Sequence, residues 1–370
     1  MLAPAIYAPT RASVTIAADL IVNAKRPVIF AQRGAGSADG FALLSELANA
    51  WGIPVVEYWA IQIAMSANDP MAAGNEPSPW IDDADLIIVL DSLVPWMMVQ
   101  HTIPAGCRVI QVGADPLFER NPVRSFRSDV ALCGETADVL SHLETALAGR
   151  AMDGVAERRS AVTAKNAVAK AQRLATAIAG SAQRISKPWL SRCMGQVAEA
   201  HDGKIVSELV TLQEHTGLTR PNTYYQEALA GGLGNAFPIA LGMQLADRER
   251  LIIAAMGDGS YRFSNPLVCH QIAETMKLPV LVVIGNNKKW GAVQAATLGT
   301  YPHGYASKMD VVPVTQLSDR SGPDFVGVAT AMNVYASAVD AGQHLVAALE
   351  KAVAFIRSER RSALVEVAIG

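Results

Sequence analysis

From about Thr15 onward the chain alternates between segments whose apolar residues recur with a helical period and short, unbroken apolar runs. IAADLIVNA and FALLSELANAWG have the helical period, the second closed by Gly52, and TADVLSHLETALAG has it again. Between them PVIFA, IPVVE, ADLIIVLD, CRVIQVGAD and DVALC read as strands. Runs that are apolar throughout, rather than at every second position, belong to strands buried on both faces, as in a parallel sheet covered by helices. This pattern predicts an α/β domain that closes near Gly149.

Residues 150–189 change character, becoming Ala-rich with interspersed Lys, Arg and Gln and without a strand-like run, which predicts a helical connector. Alternation resumes over 190–370 with GKIVSEL, the Gly-rich ALAGGLGNAFPIALGMQLA, RLIIAAMGDGS, NPLVCHQIAETM and LPVLVVIGNN, then a helix over 343–356 and the strand ALVEVAI. The expected fold class is therefore α/β, with two doubly wound parallel-sheet domains.

Composition narrows the function classes. Of the 370 residues 51% are hydrophobic and 18% charged, the balance of a compact protein. Lys+Arg of 31 against Asp+Glu of 34 gives a net charge of −3 with no basic block, which argues against nucleic-acid or membrane-surface partners. Cys107, Cys133, Cys193 and Cys269 are scattered without CxxC spacing, as expected of reduced, small core residues in a cytoplasmic protein. Prolines and a polar break interrupt MLAPAIYAPTRASV where a signal peptide needs an apolar stretch, and LPVLVVIG and DLIIVL fall far short of the roughly 20 residues that span a bilayer.

The candidate chemistry lies in 256–287, MGDGSYRFSNPLVCHQIAETMKLPVLVVIGNN. Ligands of open α/β sheets gather at the carboxyl ends of strands. RLIIAAM delivers Gly257-Asp258-Gly259-Ser260 to that edge, LPVLVVIG delivers Asn286-Asn287, and one helix-sized crossover separates them, so Asp258 and the Asn pair are expected to be neighbours. A carboxylate, an amide oxygen and a backbone carbonyl form a hard-oxygen set suited to Mg²⁺ that shares its octahedron with phosphate oxygens. Each half has a plain structural reading as well: GDG as a strand-to-turn transition, NN as an Asx turn.

GDG followed by NN after one βα unit resembles the diphosphate–Mg²⁺ motif of thiamine diphosphate enzymes. The resemblance implies that Asp258, Asn287 and the main-chain carbonyl of Lys289 bind the metal, with Gly257, Gly259 and Ser260 beside the diphosphate. AGGLGNAFPIALG, 230–242, resembles the family's cofactor-facing segment. It implies that the Gly231 carbonyl, with Gly232 beside it, meets the aminopyrimidine, and that Leu233 wedges the cofactor into a bent form. Residues 13–149 look like the Rossmann-like middle domain of the acetolactate synthase, benzoylformate decarboxylase and pyruvate oxidase group, and 190–370 like its diphosphate-binding fold. With the linker, the expected domains are 1–149, the connector 150–189, and 190–370.

The resemblance further implies a thiamine diphosphate-dependent lyase or carboligase, cleaving or making a C–C bond next to a carbonyl in a 2-oxo acid, acyloin or diketone. In the family an N-terminal pyrimidine-binding domain carries a glutamate that protonates the aminopyrimidine. Here that domain is expected on a separate subunit, giving a heteromer of two copies of each chain that is active only when complete. A catalytically inactive cofactor-binding paralogue and an NAD-dependent oxidoreductase are the alternatives. Trp290, Ala292, Val293 and Gln294 are expected to face the reacting carbon. Val293 stands where simple pyruvate-type decarboxylases have Glu, and Ala296 where acetolactate synthases have Trp, so neither specificity carries over. A C-terminal lid found in some relatives is expected to be missing. In the middle domain AQRGAGSADG, with Arg33, Gly34 and Gly36, is read as structural, with FAD or a CoA-type nucleotide as the alternative, since it lacks the full GxGxxG spacing. His215 falls near the expected diphosphate region, whereas His270 and His303 read as packing and surface residues.

Overall fold

The computed structural model describes residues 7–121, 123–151, 153–182, 184–227, 232–309 and 323–370. Its chain divides into two compact units, one running to Arg173 with Gly217–Tyr224, the other Leu174–Thr216 with Tyr225–Gly370.

The first unit contains α1 (Arg11–Asn23), β1 (Pro27–Ala31), α2 (Ala38–Trp51), β2 (Val55–Val56), β3 (Ala72–Gly74), α3 (Ser78–Ile81), β4 (Leu86–Leu90), β5 (Arg108–Gly113), β6 (Val130–Cys133) and α4 (Thr136–Leu147). Its six-stranded sheet has the order β3-β2-β1-β4-β5-β6, all pairs parallel, which is the doubly wound order with its reversal between β1 and β4. β1 and β4 are buried at every position, as their unbroken apolar runs require. The edge strand β6 alternates instead and exposes Cys133, whereas Cys107, Cys193 and Cys269 are buried and all four are free thiols. The stretch expected as a connector forms α5 (Val155–Ala179), and the division between the units falls inside that helix. Arg158 donates to the carbonyls of Trp51 and Ala24, and Asn166 to that of Pro70, so the early part of α5 is tied to the first unit.

The second unit contains α6 (Lys187–Ala200), β7 (Lys204–Glu208), α7 (Gln213–Thr216), β8 (Tyr224–Gln226, from its second residue), α8 (Ala236–Ala246), β9 (Ile252–Gly257), α9 (Asp258–Phe263), α10 (Pro266–Met276), β10 (Leu281–Asn286), α11 (Gly291–Thr300), α12 (Phe325–Ala331), β11 (Tyr335–Val339), α13 (Leu345–Glu359) and β12 (Ala363–Ala368). The sheet order is β11-β12-β10-β9-β7-β8, with parallel pairing from β11 through β7. Among the described residues no helix is long and apolar enough to cross a membrane.

A buried aromatic knot fixes α9 behind the sheet's edge. Tyr261, one turn beyond Asp258, bonds His270 of α10 through its hydroxyl at 2.7 Å, stands edge-on to Phe325 at 5.4 Å, and lies near Phe237 of α8, which meets His270 edge-on at 5.0 Å. His270 is fully buried, its Nδ1 has no partner, and burial pushes its imidazole down to about 4. The imidazole of an unfolded chain takes a proton near 6.5 and this one only near 4, so between those values the unfolded state binds more protons and acid destabilises the fold. Lowering the pH from 7.5 to 5 is expected to cost on the order of 2 kcal/mol through this group. Urea midpoints at the two pH values should show a shallower pH dependence in His270→Gln; equal slopes would remove His270 as the cause.

Candidate active site

The register of the second sheet sets the site. Gly257 of β9 is paired with Gly285 of β10, so Asp258 and Asn286 leave the sheet side by side. The Asp258 carboxylate is buried at this rim, beside the backbone of Gly259, Asn287 and Lys288, and the Lys288 N–H itself donates to Asn286. Burial, the largest influence, pushes this carboxyl up to about 6, while the backbone donors pull it down.

The two asparagines divide their work. Asn286 donates from Nδ2 to Glu366 Oε1 at 2.6 Å, which ties the tip of β10 to β12, and its Oδ1 accepts from the Lys288 N–H at 3.0 Å. Asn287 makes the corresponding Asx turn, its Oδ1 accepting from Lys289 N–H at 3.0 Å, with Lys288 left-handed between them (φ 59°). Only Asn287 of the pair lines the adjoining cavity, which measures about 100 Å³.

Of the residues singled out by sequence, Leu233, Gly257, Asp258, Gly259, Ser260, Asn287, Lys289, Trp290, Ala292 and Val293 line this cavity. Gly232 lies in the same turn as Leu233 but off the lining, with open space around it. Gln294 sits on the first turn of α11, also off the lining. Gly231 lies outside the described residues. Trp290 both lines the cavity and packs: a Cβ on Gly259 would come 2.4 Å from its Cζ3, and its ring meets Phe263 edge-on at 5.5 Å. His215 belongs to α7 and His303 to the exposed turn after α11.

Among the lining residues that sequence did not single out are two charged ones, Glu208 and Lys187. Glu208 ends β7 as Asp258 follows β9, and an acid closing an apolar strand was the available signal. Its Oε1 accepts from Gly234 N–H at 2.6 Å and its Oε2 from Ala236 N–H at 3.0 Å. Glu227 reaches the same turn, accepting from Asn235 Nδ2 at 3.3 Å. Burial, and next the Glu208 carboxylate, push the Glu227 carboxyl up to about 7, against the pull of the Asn235 hydrogen bond. Lys187 Nζ donates to the Leu209 carbonyl at 3.2 Å, and burial lowers its pKa.

The donors fit a small hard cation and a polyanion. Among the described residues no group of three or more His, Cys, Asp or Glu gathers that could hold a metal ion. One buried carboxylate beside an amide oxygen leaves Mg²⁺ dependent on ligand oxygens for much of its shell. A Cβ on Gly257 would meet nothing within 4 Å, so the backbone at the tip of β9 is open to such a ligand.

In the first unit the glycines of AQRGAGSADG are used for close packing. A Cβ on Gly34 would lie 3.1 Å from the Ile63 carbonyl, and one on Gly40 3.1 Å from Ala137 Cβ. Arg33 faces Asp91 at 3.6 Å and lies over the ring of Phe118 at 5.3 Å, and the first turn of α2 carries Asp39. An acid there disfavours a phosphate at that helix terminus.

Comparison with known proteins places these features in a family. Residues 207–367 match the family model for the thiamine pyrophosphate enzyme, C-terminal TPP binding domain, and residues 14–143 that for the thiamine pyrophosphate enzyme, central domain. The chain is 22% identical to sulfoacetaldehyde acetyltransferase of Castellaniella defragrans over 96% of its own length and 62% of that protein's. It is 24% identical to the mitochondrial acetolactate synthase catalytic subunit of Saccharomyces cerevisiae, over 92% of this chain and 50% of that one. In fold it is similar to the crystal structure of benzoylformate decarboxylase from Polynucleobacter necessarius, with a TM-score of 0.72 and 20% identity, over 100% of this chain and 66% of that one. It thus spans less than two thirds of the length of these relatives. The match of both domain models, in the order and at the places where the two sheets lie, identifies a chain that carries the central and the C-terminal cofactor-binding domains of the thiamine pyrophosphate enzymes.

Proposed function

We propose that this chain is the diphosphate-holding subunit of a thiamine diphosphate-dependent enzyme that makes or breaks a C–C bond next to a carbonyl, completed by a separate subunit bearing the pyrimidine-binding domain. The observation that carries the reading is the buried Asp258 carboxylate, brought by the β9–β10 register beside Asn287 and Lys289 at a cavity that Leu233 also lines. Asp258, the Asn287 amide oxygen and the Lys289 carbonyl would hold Mg²⁺ against the diphosphate, with Gly257, Gly259 and Ser260 lining its path. When bound, thiamine diphosphate supplies a carbon nucleophile for a substrate carbonyl and a place to store the electron pair of the bond that breaks. Leu233 and Trp290 give the cavity apolar walls that keep water from the reacting centre. Val293 places no acid or base at its own position in the lining.

A partner subunit is favoured by the surface beside the cavity. Leu233 is 42% exposed, Val293 51% and Phe263 61%, and Leu267, Val268 and Ile272 are exposed on α10. Apolar side chains grouped this way mark an interaction surface. The assembly proposed is two copies of each subunit, which places the site at an interface.

Asp258→Ala is expected to weaken Mg²⁺-dependent thiamine diphosphate binding by more than the roughly 10–100-fold that loss of an outer-shell partner costs. Calorimetry on the folded variant reads this, and unchanged affinity would sink the metal assignment. Leu233→Ala should lower turnover of the assembled enzyme while leaving its thermal midpoint nearly unmoved, because the side chain is half exposed; equal turnover per folded molecule would make it a surface residue only. Purified alone, the chain should not turn over 2-oxo acids or acyloins, and co-expression with a chain bearing a pyrimidine-binding domain should restore cofactor-dependent activity in a stable complex. Thiamine-dependent C–C cleavage by this polypeptide alone at an ordinary enzymatic rate would overturn the two-subunit reading.

A further inference from the structure

We infer that Glu208 is a positioning residue for the cofactor, acting through the turn that carries Leu233 rather than by contact with substrate; the inference rests on the thiamine diphosphate reading of the cavity. Glu208 is the last residue of β7, paired with Met256 of β9, so its carboxylate stands at the same rim as Asp258. It is 1% exposed, and its two oxygens take separate N–H groups, Gly234 at 2.6 Å and Ala236 at 3.0 Å. These flank the N-cap of α8, where Asn235 makes no side-chain cap bond of its own. A single buried carboxylate from a neighbouring strand therefore does the work of a helix cap and closes the turn that precedes it.

The opposite side of the turn is also fixed. Gly234 has φ +90°, and a Cβ there would lie 2.4 Å from the Phe263 carbonyl carbon and 2.5 Å from Ser264 N, so the turn is pressed onto the end of α9. α9 begins at Asp258. The turn is thus clamped between the Glu208 carboxylate and the helix that starts at the proposed metal ligand. Leu233 sits next to Gly234 in this clamp and is 42% exposed, so its position at the cavity comes from the backbone it is attached to rather than from packing of its own side chain. Two charge-assisted hydrogen bonds to that backbone are the stronger kind, and they fix orientation as well as distance.

A carboxylate has acceptors on both oxygens, whereas an amide of the same shape has one acceptor and one donor. In Glu208→Gln the Gly234 bond can persist while the NH₂ group faces the Ala236 N–H, donor against donor. A residue that only stabilised the fold would lower the melting temperature and leave ligand selectivity alone. A positioning residue should change the affinity for the organic part of the cofactor without touching the Mg²⁺–diphosphate contacts.

The test uses the full chain and three readouts: Mg²⁺–inorganic diphosphate affinity, Mg²⁺–thiamine diphosphate affinity, and amide hydrogen exchange at Gly234 and Ala236. In Glu208→Gln we expect inorganic diphosphate affinity within twofold of wild type, thiamine diphosphate at least tenfold weaker, and faster exchange at one or both amides. Glu208→Asp keeps the charge but is one methylene short, and is read in the same way should the Gln variant not fold. Thiamine diphosphate affinity within twofold of wild type in a folded variant, or an equal loss of both affinities, overturns the positioning role, and unchanged exchange at both amides overturns the anchoring. If the wild-type chain binds inorganic diphosphate but shows no preference for thiamine diphosphate, it is the reading of the cavity that fails.

Discussion

The parallel register that pairs Gly257 of β9 with Gly285 of β10 is the constraint on which the rest of the site depends. Parallel strands bring their carboxyl ends to one edge, but only a side chain that reaches across that edge can lock the loops leaving them. Asn286 does so, accepting from the Lys288 N–H and donating to Glu366 of β12, with the Asp258 carboxylate buried beside it. Burying a carboxylate is costly, and here burial pushes the Asp258 carboxyl up to about 6 while the neighbouring backbone N–H groups pull it down.

Around this rim polar side chains tie the elements of the second unit to one another. Asn286 ties β10 to β12 through Glu366, Tyr261 ties α9 to α10 through His270, and Glu208 ties β7 to the start of α8. Each link joins the tip or flank of one element to a different element, and each uses a polar side chain that is buried or half-buried. Such bonds are expensive to leave half made and therefore favour one arrangement of the rim.

Both sheets could be read from the sequence because fully buried parallel strands leave unbroken apolar runs, as LIIVL and LVVIG do. GDG and NN were legible as a pair because glycine and asparagine at strand ends are chemically distinctive, and the sheet register then puts them together. What escaped had no periodic or compositional mark. β3, with AAG, and β8, with YYQ, are three residues each, too short for alternation to register. The division between units falls within a continuous helix, where periodicity gives no signal. Gln294 was placed with Val293 because they are sequential, yet successive residues on a helix point about 100° apart, and only Val293 reaches the lining. Glu208 was quoted inside a strand and passed over because its partners, Gly234 and Ala236, are backbone groups that no side-chain pattern reveals.

The two domains use glycine for opposite ends, and this bears on where chemistry can occur. In the first unit Gly34, Gly36 and Gly40 let loop and helix close against Ile63, Thr136 and Ala137, filling the space that a phosphate-binding loop leaves open. Arg33, the nearby cation, is already engaged with Asp91 and Phe118. In the second unit a Cβ on Gly257 or Gly232 would meet nothing, so the backbone there faces free space at a rim that also carries a buried carboxylate. A glycine-rich stretch is thus not informative by itself: what separates a packing loop from a ligand loop is whether the missing side chain's volume is taken by protein. By that criterion the second sheet's edge, not the first's, is where a polyanionic ligand finds both room and donors, with the apolar side chains of Leu233 and Val293 exposed beside it.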